Sequence, residues 1–194
     1  MRYVVLSAGL ALAVVFAASA VSKLRGRDAY AAFVAATGRL LPTRALPRRP
    51  VALVVVAGEV AIPPLMVLSP AAGLTTTAVL SASFTVGILL AVHRGVRAPC
   101  RCFGASAAPL RRLQALRSGG LAVLATVALG LLVGAGLTWS TGIDLLAGLH
   151  PAGVLLAAVA AVVLALLTIY FDDIAELFAP ASTPVGGASA AERN

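Results

Sequence analysis

A chain of 194 residues that is 60% hydrophobic and only 11% charged cannot clothe a water-facing surface. Soluble domains carry about 25% charged residues, so lipid must cover much of this one. Fifteen Lys and Arg against seven Asp and Glu leave a net charge of +8. The arginines sit in connections between apolar runs rather than on one basic face, which excludes nucleic acid and assigns them to anionic headgroups and topology. The two cysteines are Cys100 and Cys102, so the chain has one local dithiol and not the disulfide framework of a small secreted domain.

A hydrocarbon core of about 30 Å needs roughly 20 apolar residues as helix. Five segments approach that length: Val4–Val21, Val51–Leu68, Leu74–Val92, Leu121–Trp139 and Ala152–Phe171. Unpaired backbone groups are costly in lipid, so each is expected to be helical. The expected fold is an all-α polytopic bundle of five spans, one domain over residues 1–179, followed by a disordered tail over 180–194 rich in Ala, Ser and Gly.

The first segment has a rival reading. Arg2, an apolar run and Ala18-Ser19-Ala20 have the pattern of a secretory signal peptide. Charge placement favours a retained helix. Lys23, Arg25, Arg27, Arg39, Arg44, Arg48 and Arg49 lie between the first two spans, and Arg94, Arg97, Arg101, Arg111, Arg112 and Arg117 between the third and fourth. With five spans these connections share one side, which then carries thirteen of the fifteen basic residues, while Arg2 stands alone opposite. The positive-inside rule makes the basic side cytoplasmic and puts the N-terminus outside.

Between the first two spans, residues 28–37 read as a short helix with Asp28 as N-cap. Tyr30, Phe33 and Val34 share a face, which fits either an interfacial helix or an ordinary surface one. Pro42, Pro47 and Pro50 stiffen the entry to the second span. Pro63-Pro64 is expected to kink that span. Gly130 and Gly134 have the spacing of close helix packing. Ser81, Ser83, Thr85 and Thr75–Thr77 are expected to bond to their own helix backbone.

The residues that bear chemistry are few. A disulfide between Cys100 and Cys102 would close a small, strained ring, and strained, exposed disulfides suit exchange better than structure. Arg97 and Arg101 stabilise a thiolate. Pro99 and Gly104 are expected to hold the loop in a tight, non-helical shape. Two competing readings of the pair are inert small apolar residues and a thin Cu(I) site. Glu59 lies in an apolar span, where an ionisable group costs about 2.5 kcal/mol or more and demands a partner. It is eight residues past Val51, about 12 Å from the basic side. Lys23 ends the first span on that side, and His93 ends the third there. Lys23, Glu59 and the cysteines are therefore expected to converge in one leaflet. A purely structural Lys23–Glu59 pair is the simpler alternative. No phosphate-binding glycine loop, metalloprotease motif or Ser/His/Asp pattern is present.

Ser22-Lys23, Gly58-Glu59 and Pro99-Cys100-Arg101-Cys102-Phe103-Gly104 resemble the methylamine utilisation protein MauE family, which belongs with the DoxX-like redox-associated membrane proteins. The resemblance covers roughly Met1–Leu137. It implies a helical bundle linked to thiol–disulfide chemistry, with Cys100, Cys102, Glu59 and Lys23 as site residues and Arg97, Arg101, Phe103 and Gly104 supporting them. It also implies a link to maturation of the disulfide-rich small subunit of methylamine dehydrogenase. The residue between the cysteines is often Gly in that family; here it is Arg101, which keeps the dithiol and alters its electrostatics.

The leading expectation is a membrane thiol–disulfide component. With a single cysteine pair it cannot relay electrons internally, so its partner is another protein (thioredoxin-like, or a client), a small thiol or a quinone. The alternatives are a non-enzymatic assembly factor and a small transporter using Glu59.

Overall fold

The computed structural model describes residues 1–40, 47–95, 112–137 and 141–171. All regular structure among them is helical: α1 (Arg2–Leu24), α2 (Arg27–Leu40), α3 (Arg48–Leu68), α4 (Pro70–His93), α5 (Arg112–Gly134), α6 (Gly142–Leu146) and α7 (Pro151–Ile169). Five of these, α1, α3, α4, α5 and α7, are long and apolar enough to cross a membrane, which makes this an all-α polytopic bundle.

Local chemistry sets the ends. Pro50 falls in the first turn of α3, where its missing N–H is not needed. Ser69 alone, in extended conformation, separates α3 from α4, and Pro70 opens the latter. Gly95 after α4 and Gly136 after α5 take positive φ, the left-handed conformation that ends helices at least cost with glycine. The helix α3 begins three residues before the expected Val51, so Glu59 stands eleven residues in, about 16 Å along the axis.

The spans alternate in direction. The Tyr3 hydroxyl accepts from the His150 backbone N–H at 3.1 Å, and an added Cβ on Gly9 would lie 3.7 Å from Met66 Sδ. The start of α1, the end of α3 and the start of α7 thus share one end. At the other end, α1 finishes at Leu24, just past Lys23, while α3 and α5 begin.

Two short helices close the ends. Thr141 and Asp144 form a capping box on α6, and its Leu145 is buried in the core formed by Val5, Leu12, Phe16, Ile62, Leu74 and Leu132. This helix had no counterpart in the sequence reading, where Thr141 and Asp144 lay in a connection. At the basic end α2 folds back on the bundle, with Phe33 buried against Ala52 and Val56. The apolar face of α2 therefore packs on protein. Its helix starts at Arg27, so Asp28 lies in the first turn rather than capping it.

Three further expectations need revision. The fourth span begins in a charged segment, at Arg112, because Ala115, Leu121, Ala125, Ala128 and Leu132 form one continuous buried stripe with the buried Arg117 and Ser118. Gly130 and Gly134 are exposed, and a Cβ at either would meet nothing within 4 Å. The close approach lies elsewhere: a Cβ on Gly73 would stand 2.9 Å from the Met66 backbone nitrogen. Thr75, Thr76, Thr77, Ser83 and Thr85 do donate to carbonyls four residues back, but the buried Ser81 hydroxyl has no hydrogen-bond partner among the described residues.

Candidate functional site

The basic end of the bundle interior holds a buried ion pair. Lys23 is the last charged residue of α1 and Glu59 lies at the middle of α3; they are 2% and 0% exposed. The Lys23 ammonium contacts both carboxylate oxygens, reaching Oε2 at 2.6 Å and making a still shorter contact with Oε1. Ser19, one turn before Lys23, completes the cluster. Its hydroxyl accepts from Lys23 Nζ at 2.9 Å and donates to Glu59 Oε1 at 3.2 Å.

Two aromatic rings flank the cation. Lys23 Nζ lies 4.6 Å from the ring centroid of Phe33 on α2 and 5.8 Å from that of Phe84 on α4. Both are within the range in which a ring face attracts an ammonium. Four helices thus build the site: α1 gives Ser19 and Lys23, α3 gives Glu59, and α2 and α4 give the rings. A desolvated charge pair persists only with good geometry and satisfied hydrogen bonds, and this one has both.

Pro63 follows Glu59 by four residues inside α3. Proline has no N–H to donate, so the Glu59 backbone carbonyl loses its usual helical partner. On α4 the buried stripe continues through Phe84 and Ser81, and on α5 through Ser118 and Arg117. The interior at this end therefore carries polar side chains from α1, α3, α4 and α5.

The structure unites Lys23 and Glu59 as the sequence reading expected. Cys100, Cys102, Arg97, Arg101, Phe103 and Gly104 lie outside the described residues, in the connection between α4 and α5. His93 ends α4 and is exposed; His150 is exposed at the start of α7. Sequence reading missed Ser19, Phe33 and Phe84 as members of the cluster. The Ser19/Lys23 spacing of four places both on one helix face and was the available signal. The rings come from other helices and left none. Among the described residues no group of three or more His, Cys, Asp or Glu is placed to hold a metal ion; the cysteine pair weighed for Cu(I) is not among them.

The family model of methylamine utilisation protein MauE matches residues 1–133, which span α1 to α4 and nearly all of α5. No curated protein and no solved structure matches the chain. The match covers more than half of the sequence, and the chain belongs to the MauE family. With five apolar helices, it is a multi-pass membrane protein.

Proposed function

From its membership of the MauE family, we propose that this chain is a membrane thiol–disulfide component acting through Cys100 and Cys102, its client the disulfide-rich small subunit of methylamine dehydrogenase. A client thiolate attacks one sulfur of the Cys100–Cys102 disulfide to form a mixed disulfide. The second client thiol then attacks that bond, so the client gains a disulfide and Cys100 and Cys102 leave as thiols. The client is oxidised by two electrons and the chain's disulfide is reduced by two. Arg97 and Arg101 lower the cost of the departing thiolate.

The observation that carries this reading is the buried Lys23–Glu59–Ser19 cluster. An intramembrane ion pair is expensive and most often functional. It stands at the end of the bundle where α4 finishes and α5 starts, and the two cysteines lie in the connection between those helices. In this reading Lys23 and Glu59 are positioning residues that hold a fixed charge pattern beside the dithiol.

The basic connections favour a cytoplasmic dithiol and an external N-terminus, so in this reading the client meets Cys100 and Cys102 on the cytoplasmic side. Thiol labelling of intact cells with a membrane-impermeant reagent tests the side. Cys100 and Cys102 should react only after permeabilisation; reaction without it overturns this topology. Replacing both cysteines by Ser should abolish client maturation. Maturation that survives this change but fails in Glu59→Gln would point instead to transport through the bundle, and maturation insensitive to both changes to a scaffold.

A further inference from the structure

The lipid-facing surface between α2, α3 and α4 contains a crevice of about 650 Å³, within the size range of small-molecule sites. Val79, Val86 and Leu90 border it and are themselves exposed, so its mouth opens sideways to the membrane. Its wall includes Phe33 and Phe84, the rings that flank the Lys23 ammonium. A flat group seated there would be separated from the buried ion pair by one aromatic layer.

The lining limits the occupant. Among the described residues it includes no Lys, Arg, Asp or Glu, so a phospholipid headgroup finds no charged partner among them. The polar side chains among its described residues are Thr37 and Ser83. Their hydroxyl protons go to the carbonyls of Phe33 and Val79, at 2.9 Å and 2.8 Å. Each oxygen therefore has lone pairs left and suits a ligand that donates O–H. The occupant is a neutral, membrane-dissolved molecule with a flat hydroxylated head and an apolar tail.

We infer that this crevice binds an isoprenoid quinone, and holds its reduced quinol form more tightly. The choice of a redox-active ring rests on the thiol–disulfide reading, which needs a two-electron acceptor to restore the disulfide. In that step the Cys100–Cys102 dithiol loses two electrons and two protons and becomes a disulfide, while the quinone gains both and becomes a quinol.

The test uses the full chain in phospholipid nanodiscs with an azido-substituted benzoquinone carrying a short isoprenoid tail. After illumination, the cross-link should map to peptides of α2, α3 and α4 that line the crevice. Excess unlabelled quinol should compete it away better than the quinone does, and added phospholipid should not. A Cβ on Gly87, which lines the crevice, would meet nothing within 4 Å, so Gly87→Trp can fill the space without breaking the fold. It should cut the cross-link at least fivefold. Labelling spread evenly over the lipid-facing helices, labelling displaced equally by phospholipid, or labelling unchanged in Gly87→Trp overturns the inference. The two proposals fail separately. A crevice that labels in a chain whose dithiol never exchanges keeps the quinone site and sinks the thiol–disulfide reading. A dithiol that exchanges with thioredoxin-like proteins in a chain that never labels does the reverse.

Discussion

The two ends of the bundle interior solve the same packing problem with different materials. At the end closed by α6, the core is Val5, Leu12, Ile62, Leu74, Leu132 and Leu145. At the end closed by α2, the corresponding layer holds Ser19, Lys23, Glu59, Ser81, Arg117 and Ser118, all buried. In lipid the first arrangement is the simpler one, because apolar helices pack there without any charge to desolvate. The second carries an insertion cost of about 2.5–3.5 kcal/mol for each central charge and recovers it only through a closed network. A bundle that needed nothing but cohesion could have been apolar at both ends, so the polar end is where function is to be sought.

The sharpest way to break this contrast is to remove one charge. Glu59→Leu leaves the Lys23 ammonium in a dry interior without its carboxylate partner, and should cost about 3–5 kcal/mol. The double change Lys23→Met with Glu59→Leu removes both charges and should regain most of that loss. Thermal unfolding in detergent measures both. A single variant as stable as the double one would mean the pair is not coupled. In the apolar half, Leu12→Ala creates a cavity at a fully buried site. Unfolded helices stay in lipid, so little transfer energy is lost, and the cost should be about 2 kcal/mol, the low end of the range for soluble cores. If Leu12→Ala proved as damaging as Glu59→Leu, the two ends would not differ in kind.

Much of this architecture was legible in the sequence, because it rests on local composition. Apolar runs of membrane length marked all five spans. A lone Glu59 in such a run required a partner, and the charge count put Lys23 at the right end to be that partner. What was hidden depends on which face each helix turns inward. Gly130 and Gly134 had the spacing of a close contact, but the inward stripe of α5 passes through Ala125, Ala128 and Leu132 and leaves both glycines outside. Phe33 read as part of an interfacial or an ordinary surface helix because nothing local says that α2 folds back over Lys23. The start of α5 was hidden by Arg112 and Arg117, since charged residues at the edge of an apolar run read as a loop when only local composition is weighed. The cysteine string remains the most specific sequence signal of all, and it lies outside the described residues.

The glycines give a smaller test within the α6 end. Gly73→Ala forces a Cβ against the Met66 backbone nitrogen. The Met66 thioether can move but its backbone cannot, so the change should cost about 1–2 kcal/mol, in the lower part of the overpacking range. Gly130→Ala meets nothing within 4 Å and replaces a flexible helical residue with the best helix former, so it should be neutral or slightly stabilising. Equal melting temperatures for the two variants would contradict the packing of α3 on α4.

The smallest expected effect is local and depends on pH. The Asp144 carboxylate accepts from the Thr141 backbone N–H at 2.7 Å and from its hydroxyl at 2.8 Å. The backbone hydrogen bond, followed by the hydroxyl one, holds this carboxyl below its ordinary range. A carboxyl whose pKa is depressed by folding stabilises the fold above its unfolded value, and that contribution fades as the pH falls through the depressed value. The α6 amides should therefore exchange faster with solvent as the pH is lowered past the ordinary Asp pKa of about 3.9, once the intrinsic pH dependence of exchange is removed. Asp144→Asn should abolish most of this dependence. Because Leu145 ties α6 to the apolar core, the loosening should extend to the start of α1 and spare the Lys23–Glu59 end. Equal loosening at both ends would mean that the two halves of the interior open as one unit.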